Sequence, residues 1–289
     1  IETKGIINAA GLYTDQIALM IEKEVDFEIK PRKGEYFVLD RRVKGFMDHV
    51  IYPLPTKLGK GVLIVPQVHG NILVGPTSTE VKDKSDFGTS SSALSQIVKD
   101  AKRLSEKIPF DKNIRTFAGI RASSTYKDFY IQESKTYQKL YHVAGIDSPG
   151  LTAAPAIAEY LVNMIVKSYA LKKKLDFDPI RKRQHMFHHL DPKTQEALLK
   201  QDKRYGNIVC KCERITEKDI IDAIHAPLGS DTIKGIKKRA RAGAGLCQGG
   251  YCEGTVLRII ARETHQPLTK INYYDQNTPI LLEETKVKS

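Results

Sequence analysis

"LYHVAGIDSPGLTAAPAIAEYLVNMIVKSY" runs from Leu140 to Tyr169. An apolar pulse over 140–144 is followed by the loop "GIDSPG" and then by a long apolar segment that opens on small residues. That order predicts strand, tight loop and helix. Unpaired amides and the helix dipole at such a helix start suit an anion, although a helix needing only close packing would use the same small residues. The arrangement occurs once more, near the beginning, in "KGIINAAGLYTDQIALMIEKE" (Lys4 to Glu24). Here a short strand passes through a turn at Asn8, Ala9, Ala10 and Gly11 into a helix with Ile17, Leu19, Met20 and Ile21 among its apolar residues. An Ala-Ala-Gly turn lets backbone come close to a ligand, and an empty tight turn would be built alike.

Between these two units the periodicity changes. From Lys30 to Gln132 the chain reads as short strands punctuated by turns: "GEYFVLD", "HVIYPLP", "GVLIVPQ", "NILVGPT", "TFAGIRASS" and "DFYIQES", with "HGN" between Gln67 and Ile72 as a hairpin turn. Among them "SSSALSQIVKDAKRLSEKI" (Ser90 to Ile108) places Leu94, Ile97, Val98, Ala101, Leu104 and Ile108 at helical spacing behind a serine-rich start. The expected fold class is α+β: an antiparallel sheet carrying a long helix, flanked by two strand–loop–helix pieces.

The last third holds all four cysteines, as "CKC" at Cys210 and Cys212 and "CQGGYC" at Cys247 and Cys252. Two side chains in C-x-C leave an extended backbone on opposite sides unless the chain curls around something, and a metal centre supplies that something. The glycines of "QGGY" let the backbone wrap and present amides to sulfur. Four thiolates suit a [2Fe–2S] cluster or a tetrahedral zinc, and pairs with these spacings beside helices depart from the usual zinc knuckle. Three short helices are expected around them, in "TEKDIIDAIH", "SDTIKGIKKRARAG" and "EGTVLRIIARETH", with Thr216 and Ser230 as N-caps and Gly243 and Gly245 as stops.

Composition bounds the function. At 289 residues the chain is long enough for two domains, and no apolar run approaches the roughly 18 residues of a membrane span. No secretory signal opens it, so the cysteines are expected reduced and the setting cytoplasmic. The net charge of +12 is concentrated in "KSYALKKKLDFDPIRKRQ" (Lys167 to Gln184) and "TIKGIKKRARAG" (Thr232 to Gly243), without tryptophan or interleaved aromatics for base stacking. A solvated linker and helix face accounts for it, and no nucleic-acid partner is expected. The histidines of "HMFHH" (His185 to His189) are expected to face solvent in that linker.

Two resemblances follow. "IVCKCERITEKDIIDAI" and "GLCQGGYCEGTVLRII" resemble the bacterioferritin-associated-ferredoxin-like [2Fe–2S] domain over roughly residues 206–265, which implies that Cys210, Cys212, Cys247 and Cys252 are cluster ligands. "IINAAGLYTDQIA", "KPRKGEYFVLD", "TFAGIRASS" and "HVAGIDSPGLTAAPAIAEYL" resemble the D-amino-acid-oxidase-like flavin superfamily, nearest its glycerol 3-phosphate dehydrogenase branch. That resemblance implies FAD in the intact protein. It implies cofactor contacts from Asn8, Ala9, Ala10 and Gly11, from Gly34 and Glu35 where a strand starts, and from Gly145, Gly150, Leu151, Thr152 and Ala153. Arg121 of "GIR" would grip an anionic substrate.

The implied enzyme oxidises glycerol 3-phosphate or a similar small 2-hydroxy acid and passes electrons from flavin to the cluster. Its partners would be that small anionic substrate and an acceptor protein or another subunit of a dehydrogenase complex, at the cytoplasmic face of the inner membrane. The competing expectation is a C-terminal docking module holding zinc or a structural cluster, with an L-2-hydroxy acid or amino acid as substrate. The expected division is a partial oxidoreductase over 1–175 (substrate sheet about 30–132, flavin-domain pieces 1–29 and 140–175), a basic linker over 176–205 and the cluster domain over 206–289. The chain begins at Ile1 without a G-x-G-x-x-G motif, so it reads as a piece of a longer protein, inactive and a weak FAD binder in isolation. A base should take the substrate's hydroxyl proton, and His49 and His69 are expected to be structural histidines on the sheet.

Overall fold

The computed structural model describes residues 2–54, 61–172, 174–180, 186–275, 277–283 and 285. Two compact units divide the chain at Leu175 and Asp176. The first opens with β1 (Ile6–Asn8), a 3-10 turn over Gly11–Tyr13 and the short helix α1 (Thr14–Leu19). The expected helix ends early, leaving Leu19 and Met20 exposed.

β2 (Ile29–Leu39), β3 (Leu63–Pro66), β4 (Ile72–Gly75), β5 (Thr79–Glu80) and β6 (Asn113–Ser124) form the antiparallel middle sheet. Its order is β3-β4-β2-β5, with β6 also paired to β2. The "HGN" turn closes β3 onto β4, its Gly70 N–H donating to the Gln67 carbonyl at 2.8 Å. Alternation along β2 sends Leu39 to the core face beside Ile64, Ile72 and Val74, where Ile97 and Ala101 of α2 (Ser91–Lys102) cover them. Full burial of each such branched side chain contributes about 1.5–3 kcal/mol.

The same alternation carries two charges inward. Glu35 is 2% exposed and accepts from the Ser90 backbone N–H at 2.7 Å, so a carboxylate sits at the positive end of α2, while the Ser90 hydroxyl accepts from Ala93. Lys33 points the same way and is held by Asp86 at 2.6 Å and the Gly88 carbonyl at 3.1 Å. Gly34 and Glu35 therefore lie in the middle of β2, not at its start, and Glu35 faces α2.

"DFYIQES" leaves the middle sheet. Its strand β7 (Tyr130–Glu133) pairs antiparallel with β8 (Leu140–Ala144), and β8 pairs parallel with β1 in the register Ile6↔Leu140, Asn8↔His142. The helix α3 (Gly150–Tyr169) follows β8. The molecule is thus α+β, with the first and last pieces of this unit joined in one small sheet.

The second unit is mainly helical. α4 (Pro192–Gln201) precedes a β-ribbon of β9 (Ile208–Cys210) and β10 (Ile215–Thr216), then α5 (Glu217–His225), α6 (Ile233–Ala240) and α7 (Glu253–Thr264). Ile220, Ile224, Ile236, Val256 and Ile260 share one core. Thr216 and Asp219 form a reciprocal capping box at α5. The N-cap of α6 is Thr232, not Ser230, and left-handed Arg241 ends that helix before Gly243.

From Met186 onward the expected linker is structured. Met186 packs on the helical core, the Phe187 N–H donates to Asp219 at 3.1 Å, and the His188 and His189 rings lie 3.9 Å apart. His188 is half-buried, and burial pulls its pKa below its ordinary value, whereas His189 is exposed as expected. His185 lies outside the described residues.

Candidate functional sites

The parallel pairing of β1 with β8 decides where the first candidate site lies. Both strands run the same way, so the loops after Asn8 and after Ala144 leave the same end of the sheet. Carboxyl ends of parallel strands are where open α/β sheets receive ligands. Ala9, Ala10 and Gly11 are exposed there, as are Leu151 and Thr152, while Gly150 is buried. Gly145 has φ +65°, and a Cβ on it would stand 2.5 Å from the Ser124 hydroxyl oxygen. The Gly150 N–H donates to the Asp147 carbonyl at 2.6 Å, and those of Thr152 and Ala153 both reach the Pro149 carbonyl at 3.1 Å. These bonds set the helix entry beside the turn of β1.

Asn8 is the last residue of β1 and is buried. Its Nδ2 donates to the Thr14 carbonyl at 2.8 Å and lies 3.2 Å from His142 Nδ1, while His142 Nε2 is 2.7 Å from Glu22. The Ser134 hydroxyl donates to the other Glu22 oxygen. This buried chain ties the turn after β1 to β8 and escaped sequence reading because its members are 6 to 134 residues apart. His49 lies in an exposed bend and His69 in the β3–β4 turn, so neither sits on a strand.

A second group of site residues lies on the outer face of the β2–β6 ladder. Gly34 pairs with Gly119, Arg32 with Arg121 and Tyr36 with Phe117. Arg121 lies over Gly34: a Cβ there would come within 2.6 Å of Arg121 Nη2. Above Gly119 the space is open, and the Tyr36 and Phe117 rings stack beside it with centroids 5.0 Å apart. The Ser123 hydroxyl donates to Asp147, tying this face to the loop before α3. The result is a floor of two glycines, Gly34 covered by the Arg121 fork and Gly119 open beside it, a shape that can admit a small anionic molecule.

In the second unit all four cysteines are free thiols. They come as two pairs. Cys210 and Cys252 are buried side by side, and Cys212 lies 3.7 Å from Cys247 nearer the surface. Gly245 permits the closure, since a Cβ there would sit 2.3 Å from Cys212 Cβ. Amides of Tyr251 and Gly249, then the Cys212 thiol, hold the Cys247 thiol below the usual range. Burial, and then the neighbouring Cys210, push Cys252 up to about 11.

Among the described residues no three His, Cys, Asp or Glu side chains converge on the point a single ion would occupy. Two cysteine pairs with amides aimed at one sulfur fit a [2Fe–2S] centre, in which four thiolates serve two irons.

The model for "FAD dependent oxidoreductase" matches residues 1–164. The chain belongs to the FAD-dependent oxidoreductase family. A second model, "BFD-like [2Fe-2S] binding domain", matches residues 208–262, so this oxidoreductase carries an iron–sulfur domain on the same chain. It is 42% identical to a glycerol 3-phosphate dehydrogenase of Caloramator mitchellensis over 99% of its own length and 59% of that protein's. It is 34% identical to a glycerol 3-phosphate oxidase of Mycoplasma genitalium, over 62% of this chain and 46% of the other.

Among solved structures, the dithionite-reduced L-α-glycerophosphate oxidase of Mycoplasma pneumoniae with FAD bound is similar at a TM-score of 0.53 and 32% identity. That likeness covers 60% of this oxidoreductase and 45% of the other chain. The chain therefore spans about half the length of the relatives it matches.

Proposed function

We propose that this protein oxidises glycerol 3-phosphate at its secondary alcohol and hands the electrons to its own iron–sulfur centre for delivery to an acceptor protein. One observation carries the reading: an FAD-dependent oxidoreductase segment and a [2Fe–2S] binding domain lie on one chain, 99% of which aligns with 59% of a relative named glycerol 3-phosphate dehydrogenase. When bound, FAD supplies a two-electron acceptor and the [2Fe–2S] cluster a one-electron carrier.

The chain's own residues divide the remaining work. The turn Ala9, Ala10 and Gly11, backed by buried Asn8, and the loop from Gly145 to Ala153 form the wall against the cofactor. Gly34 leaves room for Arg121, whose fork takes the anionic end of the substrate bidentately. His142 is committed to Asn8 and Glu22, so its task is to hold that wall and not to accept the substrate's proton. Cys210, Cys212, Cys247 and Cys252 hold the cluster. We place the protein in the cytoplasm, where thiols stay reduced, delivering electrons at the membrane face; among the described residues no helix is long and apolar enough to cross a membrane.

The test is anaerobic visible spectroscopy of the intact, FAD-loaded protein with glycerol 3-phosphate, L-2-hydroxyglutarate and amino acids offered in turn. Flavin bleaching with glycerol 3-phosphate, followed by loss of the cluster bands, is expected. Bleaching by one of the others alone would overturn the substrate assignment, and a cluster that stays oxidised beside bleached flavin would overturn the electron path.

A further inference from the structure

Arg32 and Arg121 stand directly opposite each other across the β2–β6 ladder. Residues so paired project from the same face of a sheet, and like charges in that position repel. Other basic residues of β2 are neutralised: Lys30 pairs with Glu28 at 2.6 Å and Lys33 with Asp86 at 2.6 Å. Among the described residues neither Arg32 nor Arg121 has a carboxylate partner. Glu80 stands opposite Arg32 on the other flank, and Asp147 is engaged by Ser123, yet neither forms an ion pair with either arginine. Two unneutralised guanidinium groups therefore flank a floor from which Gly34 and Gly119 have removed the side chains.

We propose that Arg32 joins Arg121 in a two-arginine subsite for a phosphate dianion, with the Gly34 and Gly119 pair as its floor. The inference rests on the reading of this face as the substrate side and deepens it, because it selects a phosphate monoester over a substrate with a single carboxylate. Two planar forks can take the three oxygens of one phosphate group, whereas a lone carboxylate satisfies one fork. The ligand also removes the repulsion that the opposed arginines otherwise keep. FAD carries phosphates too, so the experiment must separate cofactor from substrate.

Wild type, Arg32→Gln, Arg32→Lys and the control Lys30→Gln, all in the intact, FAD-loaded protein, are compared by three measurements. These are the rise in melting temperature with inorganic phosphate, FAD affinity, and KM and kcat for glycerol 3-phosphate. In wild type, phosphate raises the melting temperature. Arg32→Gln is expected to weaken phosphate binding and raise KM by about 10- to 100-fold while kcat stays within roughly twofold, as for loss of a charge-assisted contact. Arg32→Lys keeps part of the effect, Lys30→Gln matches wild type, and FAD affinity is unchanged throughout.

Equal phosphate response in wild type and Arg32→Gln would overturn the subsite, whether or not turnover is observed. So would a loss of FAD affinity in Arg32→Gln with the phosphate response intact. A phosphate response that depends on Arg32 in a protein that leaves glycerol 3-phosphate untouched would support the subsite and sink the dehydrogenase reading instead.

Discussion

Gly34 shows how much a single missing side chain can decide. Adding a methyl group there drives it to 2.6 Å from Arg121 Nη2 and 3.1 Å from Pro76 Cβ. The first neighbour is the far end of a flexible side chain and can move, so Gly34→Ala is expected to leave the sheet folded and displace the fork. Binding of glycerol 3-phosphate should weaken about tenfold, equivalent to ~1.4 kcal/mol, with a fall of only a few degrees in melting temperature. A parallel titration and thermal melt would check both. Gly145 is a different case, because its φ of +65° is costly for any side chain before the clash with Ser124 is counted. Gly145→Ala should lose about 1–2 kcal/mol or more in denaturant unfolding. Replacing any one cysteine by serine should abolish the visible cluster bands and lower iron and acid-labile sulfide from about two of each per chain, measured on anaerobically purified protein.

At the level of elements, α5 holds the cysteine ribbon to the helical core. Thr216 caps it, and Glu217 in its first turn accepts from Asn207 at 2.7 Å and from Arg262 of α7 at 2.6 Å. Thr216→Ala should therefore cost about 1 kcal/mol, read from the unfolding of this unit. Glu217 adds a pH dependence. Burial pushes its pKa up, but the Asn207 and Arg262 hydrogen bonds outweigh that and leave it below the ordinary value. A depressed carboxyl stabilises the fold above the unfolded pKa of about 4.3 and loses that contribution as pH falls through the folded value. The melting difference between wild type and Glu217→Gln should then be largest near neutral pH and shrink below about pH 4. A difference that grew on acidification would contradict the assignment.

The elements themselves were largely legible in the sequence, since period-2 and period-3.6 patterns mark β2, β4, α2 and α3. What was not legible depended on long-range pairing. β7 joined β8 and not the middle sheet, Glu35 turned inward to cap α2, and Arg32 met Arg121 through a register that local pattern does not encode. The cysteines were the easiest part of the candidate sites to find because their chemistry is written in residue type and spacing, whereas the Asn8–His142–Glu22 chain is written only in the fold.

Taken whole, the molecule is two units of different construction on one chain, dividing at Leu175. The second has its own core, running from Met186 to Ile280. Expressed alone, residues 176–289 should fold, take up iron and sulfide, and show the same cluster spectrum as the whole protein; a colourless, unfolded product would mean that this core is insufficient by itself. The cysteine pairs of that unit also differ in depth, Cys210 and Cys252 inside, Cys212 and Cys247 towards solvent. The difference predicts the order in which the protein ages in air. Once its cluster is lost, dioxygen and soluble oxidants meet the outer thiols first, and these already lie 3.7 Å apart. A disulfide closed there would bar reassembly while the inner thiols were still intact, so repair would call for a reductant before it called for iron.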